Sequence, residues 1–331
     1  MMRSCVSFCF VLFLGAAAPA FASTLQECLL DALETAPAET TIAEVRADCA
    51  AALVEVEDVG KTAEDTSNIK RRISAERQSG NRDYTITPHR PNYLLPVTYN
   101  DTPNDAPFLE LSSDSEPLDD TEAMLQVSIK FPLAHNLLGT DTDLLFAYTN
   151  RAWWQVYNDD FSKPFRETNY EPELFLRHYG GPSALGVDVA GWDFGYVHQS
   201  NGRSEVLSRS WDRLFASTWL ELTDDLAFGL KAWYRLPEDE EDEDNPNMYR
   251  YVGYGDARFV YAPNKNTFTA MYRPGTEEQS FELTWSYPIS KHLRIYAQYF
   301  NGYGESLIDY NAETERIGIG FAINDYLHGT P

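Results

Sequence analysis

From about Tyr84 onward, the sequence repeats segments of about ten residues in which apolar side chains alternate with small or polar ones. A period of two residues is typical of a β-strand with one apolar and one polar face. Turn residues separate the segments, and tyrosine, phenylalanine and tryptophan become frequent within them. This alternation predicts an extended antiparallel β-structure.

Twelve such segments predict twelve strands. Their predicted starts lie near Asn92, Met124, Asp143, Glu171, Gly186, Trp211, Leu226, Arg250, Thr267, Phe281, His292 and Thr314. Short connections such as LTDDL and APNKN alternate with long ones such as YNDDFSKPFRETNY and LPEDEEDEDNPNM. An even strand number with short turns at one end and long loops at the other is typical of outer-membrane barrels. We therefore expect a twelve-stranded antiparallel transmembrane β-barrel over residues 84–331.

The N-terminus carries the features of a cleavable secretory signal over residues 1–22. Arg3 precedes an apolar run from Val6 to Leu14, and Ala20-Phe21-Ala22 supplies the small-x-small cleavage pattern. Other runs fall short of the roughly 18 apolar residues that a membrane-spanning helix needs. Membrane insertion would therefore require a closed barrel. The alternative is a water-soluble β-structure whose aromatic residues form a core.

Residues 23–83 are polar and acidic and lack the strand-like alternation that follows them. They predict a periplasmic helical hairpin followed by a linker. The segments LQECLLDALET and IAEVRADCAAALVEV have helical patterning and are separated by APAET. Cys28 and Cys49 lie at matching distances from that turn, and an oxidising compartment favours a disulfide between them. Two unpaired thiols are the alternative. The expected fold class is thus all-β, with a short, disulfide-stapled helical segment before the barrel.

The formal net charge of -25 argues against a nucleic-acid partner, because phosphate backbones are bound by an excess of Lys and Arg. Divalent cations are better partners for such a chain. The acidic runs SSDSEPLDDTE and EDEEDEDNP also fit ordinary solvated loops.

The stretch GYVHQSNGRSEVLSRSWDRLF places a histidine, a serine and an acid near one hairpin loop. Along this strand the even positions carry aromatic residues and, beyond them, His198 and Ser200. Since side chains of one parity share a face, these two residues are predicted to point toward lipid. Asp212 falls on the outward parity of the next strand, and the hairpin can bring it beside His198.

These three residue types can form an ester-hydrolysing site. A serine hydroxyl is a weak nucleophile that needs a neighbouring base, and the base needs a partner that fixes its tautomer. Ser200, His198 and Asp212 supply these roles in that order. Gly202 can offer an unobstructed backbone N–H to an oxyanion. On spacing alone, three polar residues near a turn are an equally ordinary explanation.

At these residues the chain resembles outer membrane phospholipase A of Gram-negative bacteria. The resemblance covers roughly residues 84–327 and rests on SKPFRETNYEPELF, HQSNGRSEVLSRSWDRL, DNP, LTWSYPISKHLRIYAQ and NGYGESLIDYN. It implies a twelve-stranded barrel with its active site on the outer face. It also implies hydrolysis of phospholipid acyl esters at the sn-1 and sn-2 positions, and of lysophospholipids, in the outer membrane.

The resemblance assigns roles to the site. It implies that Ser200 is the nucleophile, His198 the general base and acid, and Gly202 the source of an oxyanion-hole amide. Where family members carry asparagine, this chain carries Asp212, whose negative charge favours the imidazolium form of the histidine. This departure leaves the role of the third residue open.

The resemblance further implies a Ca²⁺ cofactor and a homodimeric active form. The matching calcium ligands are the carbonyl of Arg203, the hydroxyl of Ser208 and Ser162 of a second subunit, with Asp244 at a further position. Oxygen ligands are what Ca²⁺ prefers. Asn150 corresponds to a polar residue in the family's dimer interface, although a place inside the barrel is an equal alternative.

Two other functions remain open from the residues alone. A passive outer-membrane pore would not need His198 and Ser200 to face lipid. A structural barrel would use its acidic loops to bind cations, and its site residues would be dispensable.

Overall fold

A computed structural model describes residues 45, 67–80, 85–109, 117–159, 164–184, 187–239 and 243–328. All of these residues except residue 45 belong to the compact unit Thr62–Pro331. The predicted signal sequence, Cys28, Cys49 and Ser162 lie outside the described residues, so the disulfide and the periplasmic hairpin stay predictions.

Fourteen strands, three α-helices and two short 3₁₀ helices make up the described part of the unit. The two-residue strands are β1 (Thr87–Pro88) and β6 (Ser183–Ala184). The long strands are β2 (Tyr93–Asn100), β3 (Thr121–Ala134), β4 (Thr142–Trp154), β5 (Phe165–Tyr179), β7 (Val187–Ser200), β8 (Ser210–Thr223), β9 (Leu226–Arg235), β10 (Gly255–Tyr261), β11 (Thr267–Pro274), β12 (Gln279–Pro288), β13 (Arg294–Tyr303) and β14 (Glu313–Ala322). The α-helices are α1 (Asn68–Gly80), α2 (Ala106–Leu109) and α3 (Met248–Val252).

The twelve long strands close into an antiparallel barrel. Each pairs with the next long strand along the chain, and β14 pairs back onto β2. Closure leaves no free edge, so the hydrogen-bonding groups of every long strand have a partner strand on both sides. The predicted twelve-stranded antiparallel barrel is confirmed.

Two predicted strand starts differ from the structure by several residues. β5 begins at Phe165, well before the expected Glu171, because its interior face carries charged residues that obscure the apolar alternation. β10 begins at Gly255 and not near Arg250, because Arg250 lies in helix α3. In the described part of the chain, no helix is long and apolar enough to cross a membrane.

The barrel is apolar outside and polar inside. Large apolar side chains exposed on its outer face include Val97, Leu174, Phe194, Leu230, Phe259, Phe281 and Ile317. Charged side chains that are buried in the interior include Glu122, Lys130, Arg166, Glu173, Arg177, Arg213 and Arg316. This inversion of an ordinary soluble fold is what a lipid environment demands. Two tryptophans near strand ends, Trp153 and Trp211, are buried and therefore do not belong to an interfacial aromatic belt.

Helix α1 packs inside the barrel at the end with the short turns. Its apolar residues Ile69 and Ile73 join a buried cluster with Ala190, Ala227 and Val260. The backbone N–H of Asn68 donates to the Asp224 carbonyl in the β8–β9 turn, at 2.8 Å. The sequence predicts a linker for this segment, which is wrong for residues 68–80. These residues form a helix whose apolar and charged side chains pack against the interior of the barrel.

A buried carboxylate anchors the charged face of α1. Glu76 lies 2.6 Å from Lys130 Nζ on β3 and 2.7 Å from Arg72 Nε on the helix, with Arg177 Nη1 at 3.5 Å. Burial alone would raise the pKa of Glu76, but Lys130, Arg72 and Arg177 hold that pKa at about 2. The anion is therefore favoured by three cations that the barrel and helix supply together.

We predict that Glu76→Gln destabilises the barrel by about 3 kcal/mol at neutral pH, because it leaves buried cations without their anion. The carboxylate contribution is present above its ordinary pKa of 4.5 and disappears as pH falls toward about 2. The difference between variant and wild type should thus shrink across that window. Urea unfolding in lipid bilayers at pH 7 and pH 3 measures it. The exposed Glu313→Gln is the matched control, and an equal effect of both substitutions would contradict the anchor.

Candidate active site on the outer face of the barrel

The β7–β8 hairpin brings the predicted histidine and acid directly opposite each other. His198 pairs in register with Asp212, and Ser200 pairs with Ser210 at the end of β7. Residues 201–209 form the loop between the two strands, at the end of the barrel opposite α1.

Side-chain exposure shows that this cluster is on the outer face. Phe194 and Tyr196, which share the parity of His198, are 51% and 39% exposed, whereas Val197 is 0% exposed. The side chains of His198 and Asp212 are 37% and 31% exposed. The side chains of this hairpin therefore lie on the faces that strand parity predicts.

The site contains a compact set of hydrogen bonds around Asp212. His198 Nδ1 lies 2.9 Å from Asp212 Oδ1, and the hydroxyl of Tyr196 donates to the same oxygen. If Nδ1 carries the proton for this bond, Nε2 is an acceptor. Ser200 lies two residues beyond His198 on the same side of β7. Within the described residues, no hydrogen bond joins Ser200 to His198; such bonds often form only when substrate is bound.

Asn201 holds the loop that follows Ser200. Its side-chain Nδ2 donates to the Leu207 carbonyl at 2.8 Å, and its Oδ1 accepts from the backbone N–H groups of Arg203 and Arg209 at 3.2 and 3.0 Å. Nδ2 also lies 3.4 Å from Glu167 Oε2 on β5. Asn201 is 4% exposed, so one buried amide ties three parts of this loop together.

Gly202 occupies a backbone conformation that favours glycine, with φ of +64°. A Cβ atom there would lie 3.1 Å from the ring of Tyr170. The next residue, Arg203, donates from Nη2 to the carbonyls of Phe165 and Arg166 at 3.0 and 2.5 Å. The glycine therefore sits in a loop that is clamped to β5.

Two oxygen-bearing side chains suited to a hard cation meet beside this loop. The Ser208 hydroxyl donates to Asp244 Oδ2 at 2.6 Å. No group of three or more His, Cys, Asp or Glu side chains that could hold a metal exists among the described residues. A cation here would depend on carbonyl and hydroxyl oxygens with one carboxylate, which is a donor set that Ca²⁺ accepts. Glu205 is exposed and makes no hydrogen bond from its side chain within the described residues.

The fold and the lipid-facing polar cluster define an outer-membrane β-barrel with a surface site. A family model described as phospholipase A1 matches residues 69–323. Phospholipase A1 of Proteus vulgaris is 38% identical over 269 residues, which cover 79% of this chain and 89% of that protein. Phospholipase A1 of Escherichia coli strain K12 is 38% identical over 255 residues, 75% of this chain and 84% of that protein.

Solved structures agree with these relatives. An active-site mutant of Escherichia coli outer membrane phospholipase A has a TM-score of 0.71 and 34% identity, covering 78% of this chain and 98% of that one. The Salmonella typhi outer membrane phospholipase dimer with bound calcium has a TM-score of 0.70 and 36% identity, covering 74% and 94% of the two chains. The chain therefore belongs to the phospholipase A1 family and is an ester hydrolase of the outer membrane.

Two residues of this site were missed by sequence reasoning. Asn201 lies directly after Ser200 in HQSNGRS, but nothing in its spacing predicts three backbone bonds within one loop. Tyr196 was counted among the lipid-facing aromatics. Its place two residues before His198 on the same face was a usable signal, since diagonal neighbours across antiparallel strands are within reach of a long side chain.

We predict that Asn201→Ala lowers phospholipase activity at least about tenfold while the barrel still folds, because the loop loses the amide that fixes it. Fatty-acid release from phospholipid vesicles gives the activity, and heat-modifiable electrophoretic migration confirms the folded barrel. Asn264→Ala is the control, because Asn264 Oδ1 likewise accepts a turn N–H, from Asn266 at 2.9 Å, but at the opposite end of the barrel. Equal activities of the two variants would refute the role of Asn201.

Proposed function

We propose that this protein catalyses calcium-dependent hydrolysis of phospholipid acyl esters at the sn-1 and sn-2 positions, and of lysophospholipids, at the surface of the outer membrane. Ser200 is the nucleophile, His198 the general base and acid, and Asp212 the residue that orients the imidazole. The observation that carries the proposal is the His198–Asp212 pair, 2.9 Å apart on the lipid-facing side of β7 and β8 next to Ser200.

The arrangement accounts for each proton in the reaction. Ser200 Oγ attacks the ester carbonyl while His198 Nε2 takes the hydroxyl proton, and the imidazolium is stabilised by Asp212. The C–O bond then breaks, and His198 returns the proton to the leaving alcohol. A water molecule, activated in the same way, hydrolyses the acyl-enzyme and releases the fatty acid. Substrate reaches the outer face by lateral diffusion, so its acyl chains never need to enter the barrel.

The backbone around Gly202 supports stabilisation of the oxyanion. Its conformation, with φ of +64°, leaves an N–H that no side chain of its own can cover. Because Arg203 is clamped to β5, the position of this amide is fixed before substrate arrives. Such preorganisation is the main source of electrostatic catalysis in acyl transfer.

Two of the residues that would hold Ca²⁺, Arg203 and Ser208, lie in the same loop. We assign the Arg203 carbonyl and the Ser208 hydroxyl to one site, completed by Ser162 of a second copy, and Asp244 to a further position. The cation, when bound, supplies positive charge near the developing oxyanion. The close approach of Ser208 to Asp244 supports the oxygen-rich donor set, as does the calcium in the Salmonella typhi relative.

The active form that we propose is a homodimer. Asn150 shares the outward parity of Leu144, Phe146 and Tyr148 on β4 and pairs with the exposed Val127 and Tyr170. This parity favours the outer face of the barrel over its interior. Tyr148 forms a side-chain hydrogen bond with Asn150, but one hydroxyl cannot satisfy all the donors and acceptors of an amide on a lipid-facing surface, and a second copy can provide the others. The dimer in the Salmonella typhi structure supports the same assembly.

The interior gives no support to a passive pore. Helix α1 packs in the barrel, and the cavity beside it has a volume of about 250 Å³ and is crossed by ion pairs. Diffusion of solutes would require the helix and its charged contacts to move aside.

We predict that Ser200→Ala abolishes fatty-acid release, because the hydroxyl is the only atom that attacks the ester. Wild type treated with EGTA should lose activity to a similar extent and recover it when Ca²⁺ is added. The measurement is release of fatty acid from phosphatidylcholine vesicles, with chemical crosslinking run in parallel to tie activity to the dimer. Ser210→Ala, the residue opposite Ser200, is the matched control. Activity that persists in Ser200→Ala, or in EGTA, would contradict the mechanism.

We also predict that Asp212→Asn keeps substantial activity, since an amide oxygen can still orient the imidazole. The neutral amide stabilises the imidazolium less than a carboxylate does, so the base stays unprotonated to lower pH. The acid limb of the pH–rate profile should therefore move downward. An inactive variant with an intact barrel would show that the charge of Asp212 is indispensable.

A further inference from the structure

Tyr196 makes a contact that the proposed mechanism does not use. Its hydroxyl donates to Asp212 Oδ1, the same oxygen that pairs with His198 Nδ1. Tyr196 precedes His198 by two residues on the outer face of β7, and His198 stands in register opposite Asp212. The phenol therefore reaches diagonally across the hairpin and arrives at the carboxylate from the side away from Ser200.

The negative charge of Asp212 explains what this hydrogen bond does. A carboxylate on a lipid-facing surface carries a full charge with little water to solvate it, so it requires hydrogen-bond donors. Within the described residues, His198 and Tyr196 are the side chains that donate to it. Two donors on one oxygen restrict rotation of the carboxylate and share its charge, so less of that charge acts on the imidazole.

We propose that Tyr196 is a positioning residue for ester hydrolysis: its hydroxyl fixes Asp212 Oδ1 toward His198 and shares the charge of that oxygen. This inference rests on the proposed function of Ser200, His198 and Asp212.

Other titratable groups face the pair from the neighbouring segments. Tyr170 on β5 stands in register opposite Ser200. Glu238 follows β9, near Asp212; burial raises the pKa of Glu238, while Arg235 Nη2, 3.4 Å away, opposes the rise. A pH effect at the site must therefore be separated from titration of Glu238, and Glu238→Gln serves that purpose.

Tyr196→Phe tests the proposal, because it removes only the hydroxyl. Phe194 is already exposed on the same face, so a phenyl ring suits this environment. We expect kcat at pH 7 to fall about tenfold and the acid limb of the pH–rate profile to move upward by about one unit, because the unshared carboxylate stabilises the imidazolium. The shift should persist in the Glu238→Gln background. Tyr261→Phe, a lipid-facing tyrosine of β10, should behave as wild type.

The double variant Tyr196→Phe/Asp212→Asn decides whether the hydroxyl acts through the carboxylate. In the Asp212→Asn background, Tyr196→Phe should leave the acid limb unmoved, because there is no negative charge to share. The proposal is overturned by an equal shift in both backgrounds, by a change in KM alone, or by a profile identical to that of Tyr261→Phe. Ser200→Ala is assayed beside these variants: if it stays active, the proposed function fails; if it is inactive while Tyr196→Phe is normal, only the role of Tyr196 fails.

Discussion

The pairing of backbone hydrogen bonds around a closed ring of strands is the constraint on which the rest of this structure depends. In lipid, an unpaired N–H or C=O group costs several kcal/mol, so the strands must close and their register is fixed. Register then decides faces, because a slip of one residue turns every side chain to the opposite side. The pairing of His198 with Asp212 places both on the outside, next to Ser200. The site is thus a consequence of strand pairing.

Charged residues inside the barrel hold helix α1 at one end and position the loop of the site at the other. At the end with short turns, α1 is held by the ion pairs of Glu76 and by an apolar contact around Ile73. At the other end, buried Arg166 lies 2.6 Å from Asp309 and 3.1 Å from Glu122, and its carbonyl accepts from Arg203. The same charged layer that fills the barrel therefore reaches the loop that carries the glycine of the site.

The sequence predicts much of this, and its failures have physical causes. Period-two alternation located all twelve strands and put His198, Ser200 and Asp212 on the correct face, because burial depends on parity alone. It missed α1, since a polar helix packed inside a polar barrel lacks the apolar stripe by which surface helices are recognised. The amide of Asn201 could not be assigned, because its role depends on loop geometry that spacing does not encode. Spacing places Tyr196 on the face of His198, but its hydrogen bond to Asp212 depends on a side-chain rotamer.

The proposed mechanism depends on Ser200 being an activated nucleophile exposed to lipid. Covalent trapping with a hexadecyl sulfonyl fluoride tests this, because the reagent forms a bond to an activated serine oxygen and releases fluoride. Protein in phospholipid vesicles would be treated with and without Ca²⁺, and the modified peptide would be identified by mass spectrometry. The account predicts modification of Ser200 in the presence of Ca²⁺, and its loss in His198→Ala. Modification of another residue, or undiminished modification of Ser200 in His198→Ala, would contradict it.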